Sequence, residues 1–259
     1  MSFDYKKSLG QNFLKDNNII NKIVMSSEID KDTLVIEVGP GAGSLSKEIV
    51  PRAKNALLYE IDTRLKDILN SSLSSYDNYD IIFNDVLKQD IANDIKKYEY
   101  KKLFLVANLP YYITSPIITK FINEVYPDRI VIMIQDEVAD RFSASVGTKE
   151  YGMITVLLNA KYNVYKLFKV SKNCFEPIPN VDSAVVLFDK RTDYKIDNES
   201  KFEQIIKDAF QFKRKNLRNN LKKYDLNKIQ EILFKYNLDL SCRAEEISTE
   251  IFIDISNNI

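Results

Sequence analysis

Asn108-Leu109-Pro110-Tyr111 is the stretch best equipped for chemistry. It follows the apolar run Phe104-Leu105-Val106-Ala107, so a buried strand delivers an amide, a stiff turn and a phenol to its carboxyl end. An amide beside an aromatic ring on a rigid corner can hydrogen-bond the edge of a flat, amine-bearing heterocycle and stack on its face. Ligands of open parallel α/β sheets collect at that edge, and a nucleobase is the natural occupant of such a corner.

A second constellation lies upstream. Glu37-Val38-Gly39-Pro40-Gly41-Ala42-Gly43 ends one apolar run and opens a helix, so its glycines permit a tight turn and let backbone approach a ligand. By itself this is an ordinary strand-to-helix turn. Glu60 ends the next apolar run, 21 positions after Gly39, where an acid can accept hydrogen bonds from both hydroxyls of a ribose. Asn84-Asp85-Val86 ends the third, where an acid can take a proton from an adenine amine while Val86 packs on the ring. Either acid, taken singly, reads equally well as a helix cap. Together they point to a nucleoside cofactor. A dinucleotide cradle needs Gly-x-Gly-x-x-Gly, and here the third glycine, Gly43, comes one residue early, which favours S-adenosyl-L-methionine. The arm Ser8-Leu9-Gly10-Gln11-Asn12-Phe13-Leu14 is too short for a core strand and is expected to fold over the methionine part of that cofactor.

The elements that must carry these residues follow from hydrophobic patterning. Between Thr33 and Gln135, β-branched runs at Leu34 to Val38, Ala56 to Ile61, Asp80 to Phe83, Leu103 to Ala107 and Arg129 to Ile134 alternate with helical stretches, the mark of a parallel sheet covered on both faces. Further strands are expected at Ile154 to Tyr162 and Ser183 to Phe188, making about seven in a Rossmann-like α/β sheet. A polar connector from Lys190 to Ser200 precedes amphipathic helical patterns at Phe202 to Leu221, Asn227 to Tyr236 and Thr249 to Ser256. The expected organisation is a catalytic domain over 1–190 and a smaller all-helical domain over 198–259.

Composition sets limits. The 259 residues, 45% hydrophobic, suffice for a full core. Lys+Arg and Asp+Glu are both 37, but the arrangement is uneven: eight basic residues stand against two acidic ones between Lys207 and Lys228. Lys213, Arg214, Lys215, Arg218, Lys222 and Lys223 are therefore the candidate phosphate contacts, with a solvated helix face as the plainer reading. There is no histidine, which removes the commonest general base, Ser-His and Cys-His nucleophiles and most zinc chemistry, and no metal is expected. Cys174 and Cys242 show no metal-like spacing and receive no role. With neither a signal-peptide core nor a membrane-length apolar run, a cytoplasmic protein without membrane contact is expected.

Several long motifs bear a resemblance. Leu9 to Leu14, Glu37 to Gly43, Asn108-Leu-Pro-Tyr-Tyr-Ile-Thr-Ser-Pro116, Lys149-Glu-Tyr-Gly152, Phe175-Glu-Pro-Ile-Pro-Asn-Val-Asp-Ser183 and Lys213 to Leu221 span nearly the whole chain, which resembles the rRNA adenine N6-dimethyltransferases. Within them it is similar to the bacterial small-subunit branch, where Leu109 is the usual form; relatives that act on 23S rRNA more often carry Ile there. The resemblance implies that Gln11, Asn12, Leu14, Gly39, Gly41, Glu60, Ile61, Asp85, Val86 and Asn108 hold S-adenosyl-L-methionine. It implies that Asn108 to Tyr111 receive the target adenine and that two adjacent adenosines in the terminal hairpin of 16S rRNA, within an immature 30S particle, each gain two methyl groups. The protein is expected to act as a monomer. Two departures stand out: Asp136 where relatives commonly carry Lys, and Phe212-Lys213 in place of a Gln-Arg pair.

Residue chemistry supplies a mechanism for that expectation. The lone pair of an adenine N6 is delocalised, so the site must favour the pyramidal nitrogen that attacks a sulfonium methyl. The Asn108 side-chain oxygen and the Leu109 carbonyl are expected to accept its N–H groups, Pro110 to stiffen the turn, and Tyr111 and Phe175 to stack the extruded base. The rival readings are the same chemistry on 23S rRNA, and a ribosome-assembly factor that works mainly by binding. A dehydrogenase leaves the Asn108 corner unexplained.

Overall fold

The computed structural model describes residues 11–259. The part of the arm reading that falls on Ser8, Leu9 and Gly10 lies outside them. Nine strands follow one another as β1 (Phe13–Leu14), β2 (Thr33–Val38), β3 (Asn55–Glu60), β4 (Tyr79–Phe83), β5 (Lys102–Asn108), β6 (Arg129–Gln135), β7 (Tyr162–Val170), β8 (Phe175–Glu176) and β9 (Ser183–Lys190). Seven of them form one sheet in the order β4-β3-β2-β5-β6-β9-β7, while β1 and β8 make a two-stranded pair.

Every residue of β2 is buried, as are five of the seven in β5, so both read as continuous apolar runs rather than alternating ones. Strand β2 pairs in parallel with β3 on one side and with β5 on the other. The chain winds outward from β2 to β4, then crosses back to β5. The gap between the carboxyl ends of β2 and β5 is thus the topological switch point, where such sheets open a crevice. Strand β9 runs antiparallel to β6, opposing Ser183 to Gln135 and Asp189 to Arg129.

Helix Asn17–Ser27 covers part of this sheet because its apolar residues Ile20, Ile23 and Val24 fall on one face. It starts where the Asp16 carboxylate accepts the N–H groups of Asn18 and Ile19. It stops at Glu28, whose φ of 53° is left-handed.

The chain divides into two compact units, one extending to Ala139 and resuming at Tyr165–Asp189, the other made of Asp140–Val164 and Lys190–Ile259. Residues 140–164, expected with the first domain, cluster with the second. The second unit buries Phe202, Ile205, Leu217, Ile229, Leu233 and Phe252 around one core. Its helices begin at side-chain caps from Asn198, Asp225 and Ser248.

Two expected elements are corrected. The run Ile154 to Tyr162 is not a strand: Met153–Asn159 is a helix and the strand is Tyr162–Val170. Thr155 stabilises that helix start, its hydroxyl accepting the Gly152 N–H at 3.1 Å and donating to the Arg141 carbonyl at 2.7 Å. The pattern from Phe202 to Leu221 is not one helix either. A helix over Glu199–Ala209 gives way to a turn and then to the short helix Leu217–Asn220. The buried Asn220 amide breaks it, donating to the carbonyls of Ala209 at 2.7 Å and Phe212 at 3.3 Å.

Candidate active site

The glycine turn leaves β2 and Asn108 ends β5, so both reach the switch-point crevice. A Cβ added at Gly39 would stand 3.9 Å from the Asn108 main-chain oxygen and from Pro110 Cδ. The crevice is lined by the expected Gln11, Asn12, Leu14, Gly39, Gly41, Glu60 and Ile61, together with Asn108, Leu109, Pro110 and Tyr111.

Gly41 shows why the turn needs glycine. Its φ is +60°, and an added Cβ would meet the Phe13 ring at 2.5 Å. Its N–H donates 3.0 Å to Glu60 Oε2, and the Asp62 N–H donates 2.8 Å to Oε1. A carboxylate offers about four acceptor positions. Glu60 therefore keeps acceptor capacity for a further donor such as a ribose hydroxyl. Burial raises the Glu60 pKa, opposed by those main-chain N–H groups.

Glu37, also lining the crevice, is 1% exposed. Burial pushes its carboxyl up to about 8, with the nearby Glu60 adding to the shift and the Ser46 hydroxyl, donating at 2.6 Å, opposing it. Burial thus favours the protonated form of Glu37, held by Ser46. A nucleoside-bearing cofactor fits this donor set and this close-packed glycine turn.

The arm is tied to the crevice twice. Gln11 Nε2 donates to Asp62 Oδ2 at 2.8 Å, and Asn108 Nδ2 donates to the Asn12 carbonyl at 3.1 Å. The second bond engages one Asn108 N–H and leaves Oδ1 as an acceptor. The Leu109 N–H donates to the Met133 carbonyl at 3.2 Å, and the Thr114 hydroxyl to the Pro110 carbonyl at 3.2 Å. Tyr111 Oη lies 2.6 Å from the Ser183 hydroxyl at the buried start of β9. Burial raises the Tyr111 phenol pKa, with Ser183 opposing, so the ring is neutral. Four different elements hold the four residues of this corner.

Three expected site residues lie elsewhere. Asp85 caps the turn Val86–Lys88, its Oδ1 accepting the Leu87 N–H at 3.0 Å, and Val86 is buried beside it at 4% exposure. Phe175 is 3% exposed in the core, because β8 pairs antiparallel with β1 and sets Phe175 opposite Leu14. None of the three lines the crevice. Phe13, in the arm expected over the cofactor, lines the crevice, whereas Asp62 and Ser183 were given no role from sequence; of these only Asp62, a cap residue just after a strand, carried a signal.

Asp136 is ion-paired locally. It lies 2.7 Å from Lys166 and 3.1 Å from Lys169, which also reaches Asp182 at 3.0 Å. Although burial disfavours its charge, the two lysines hold its carboxyl below the usual range.

In the second unit Lys213, Arg214, Lys215, Arg218 and Lys222 are exposed on the turn and short helix that follow Ala209. Lys223 is partly committed, 2.8 Å from the nearly buried Asp208, which also accepts from Tyr224 at 2.6 Å.

Sheet order, switch-point crevice and glycine turn define a Rossmann-like methyltransferase, and solved structures share the fold. A dimethyladenosine transferase from Plasmodium falciparum superposes with a TM-score of 0.78 at 23% identity, over 95% of this chain and 98% of that one. The 23S rRNA methyltransferase ErmE gives 0.80 at 24% identity over the same shares. The family model described as ribosomal RNA adenine dimethylase matches residues 2–259, and this chain belongs to that family. Ribosomal RNA small subunit methyltransferase A of Staphylococcus haemolyticus (strain JCSC1435) is 43% identical over 96% of this chain and 88% of its own length. The Staphylococcus aureus (strain Newman) protein of the same name is 41% identical over the same shares. The chain is an rRNA adenine methyltransferase that uses S-adenosyl-L-methionine. Among the described residues, no helix is long and apolar enough to cross a membrane.

Proposed function

We propose that the protein methylates N6 of two adjacent adenosines in the 3′-terminal hairpin of 16S rRNA, in an immature 30S particle, giving each two methyl groups. The carrying observation is the Asn108 corner: an amide whose nitrogen is occupied by the Asn12 carbonyl, beside a neutral phenol. The names of the staphylococcal relatives and the Leu109 form of the corner support the small-subunit target. The fold does not discriminate, since ErmE shares it.

S-adenosyl-L-methionine, when bound, supplies a methyl carbon on a positively charged sulfur. Glu60 would accept the ribose hydroxyls of this cofactor, and the glycine turn would let backbone approach it. Asn108 Oδ1 and the Leu109 carbonyl accept the two N–H groups of adenine N6. Both bonds strengthen as the nitrogen leaves the plane of the ring, so they favour the transition state over the ground state. The Tyr111 ring stacks on the base after it has left its helix, as base-modifying enzymes require. With that methyl in place N6 would be a cationic amine, acidic enough to lose its proton to water. A chain with no histidine needs no stronger base. The second transfer starts from an amine with one N–H, which a single acceptor satisfies.

The second unit supplies the RNA grip through its exposed Lys and Arg cluster. The test is mass spectrometry of small-subunit RNA from cells with and without the gene. N6,N6-dimethyladenosine in the terminal hairpin should disappear when the gene is removed and return with it. Unchanged hairpin adenosines, or loss confined to 23S rRNA, contradict the proposal.

A further inference from the structure

We propose that Phe212 is a stacking platform for an unpaired base of the RNA substrate, set within the basic turn of the second unit. This rests on the reading of that turn as an RNA grip and adds to it a contact to a base rather than to phosphate.

Two phenylalanines two positions apart behave oppositely. Phe210 turns inward, 6.3 Å from the Tyr151 ring and 5.9 Å from Phe252. Phe212 is 56% exposed. Its exposure is not that of a loose loop. The Phe212 carbonyl accepts the Lys215 N–H at 2.8 Å and the Asn220 side-chain amide at 3.3 Å. Asn220 is itself 7% exposed and anchored to Ala209. Asn216 then caps the next helix, its Oδ1 accepting the Asn219 N–H at 3.2 Å. The backbone that carries the ring is therefore pinned from the core side, which lowers the entropy cost of presenting it.

Around the ring the chain places Lys213, Arg214 and Lys215, all exposed, with Arg218 exposed on the following helix. Four cations beside an apolar surface disfavour an apolar protein partner and favour one that is polyanionic yet has flat apolar faces. Single-stranded nucleic acid has both properties: phosphates for the cations and a π-face on every base.

The two kinds of contact respond differently to salt. Each phosphate contact to a single strand contributes about 0.7 to the slope of log affinity against log salt. A stacked ring contributes to affinity and nothing to the slope. The experiment measures binding of the full chain to a 12-nucleotide oligoadenylate and to the matching abasic strand across a salt series. Phe212→Ala should weaken oligoadenylate binding by about ten-fold with an unchanged salt slope. Phe212→Tyr should restore it, and binding to the abasic strand should be the same in all three proteins.

Phe234→Ala removes a ring that is 64% exposed on the helix Leu226–Lys235 and should change neither strand's binding. Wild-type affinity in Phe212→Ala, equal loss on the abasic strand, or equal loss in Phe234→Ala overturns the proposal. So does a Phe212→Ala protein that keeps its oligoadenylate affinity but fails to bind the particle, since the ring would then face a protein. Arg214→Ala with Lys215→Ala separates the two levels. If these flatten the salt slope while Phe212→Ala does nothing, the RNA grip stands and the stacking platform falls. If they too leave the slope unchanged, the grip itself is wrong.

Discussion

Asn108 Nδ2 donates 3.1 Å to the main-chain oxygen of Asn12, across 96 positions of sequence. One bond thus fastens the N-terminal arm to the end of β5 and fixes which side of the Asn108 amide faces the crevice. An amide free to rotate would offer an amine substrate its NH₂ as readily as its oxygen; the bond to Asn12 selects one of the two orientations. The arm is in turn held by Gln11 on Asp62, whose carboxyl the Arg64 side chain keeps below the usual carboxylate range. Binding site and reacting corner are therefore ordered together.

The Tyr111–Ser183 bond makes Ser183 a positioning residue that acts through the ring. Removing the hydroxyl in Ser183→Ala should lower kcat several-fold while leaving the KM for S-adenosylmethionine unchanged. Tyr111→Phe should do the same, and the double variant should be no slower than either single one, because both remove the same bond. Additive losses in that double-mutant cycle would show that Ser183 acts elsewhere.

Gly41→Ala forces a side chain into left-handed backbone and against the Phe13 ring, 2.5 Å away. Isothermal titration with S-adenosylhomocysteine should show at least about ten-fold weaker binding, since one to a few kcal/mol of strain falls on the turn itself. Gly147→Ala is the matched control: its φ is +82° but nothing lies within 4 Å of the added carbon. It should cost stability without affecting cofactor affinity.

Glu37 couples stability to pH. Its folded pKa of about 8 lies above the 4.5 of the exposed side chain, so folding favours the protonated acid. Its contribution is complete below pH 4.5 and is lost as pH rises through 8. Glu37→Gln keeps an acceptor for the Ser46 hydroxyl and cannot ionise. Thermal unfolding of wild type should lose stability between pH 5 and pH 9 relative to this variant, with the curves closest at pH 5. Parallel curves would mean that Glu37 is ionised in the folded protein.

The sheet was legible because its strands are short β-branched runs buried on both faces, as in Thr33–Val38. The glycine turn and the Asn108 corner were legible for a related reason: each breaks such a run abruptly with residues that suit a turn better than a strand. The helix Met153–Asn159 was not. Met153-Ile-Thr-Val-Leu-Leu is apolar but for Thr155, and a run of that length has no period to separate a buried helix from a strand. Strand Tyr162–Val170 escaped notice because, at the edge of the sheet, most of its residues are half-buried and include Lys166 and Lys169. The break after Ala209 rests on the Asn220 amide reaching back 11 positions, a tertiary contact that local pattern does not encode. Ser183 was invisible for the same reason, its partner Tyr111 lying 72 positions away.

The central claim is that the Asn108 oxygen activates an amine. It is tested most directly by the single-turnover rate of methyl transfer from S-adenosylmethionine to small-subunit RNA in Asn108→Ala, with S-adenosylhomocysteine affinity measured on the same protein. Loss of one preorganised polar group predicts a rate lower by about 10² to 10³ at saturating cofactor, with affinity changed much less. A variant that binds cofactor and methylates at near the wild-type rate would contradict the account.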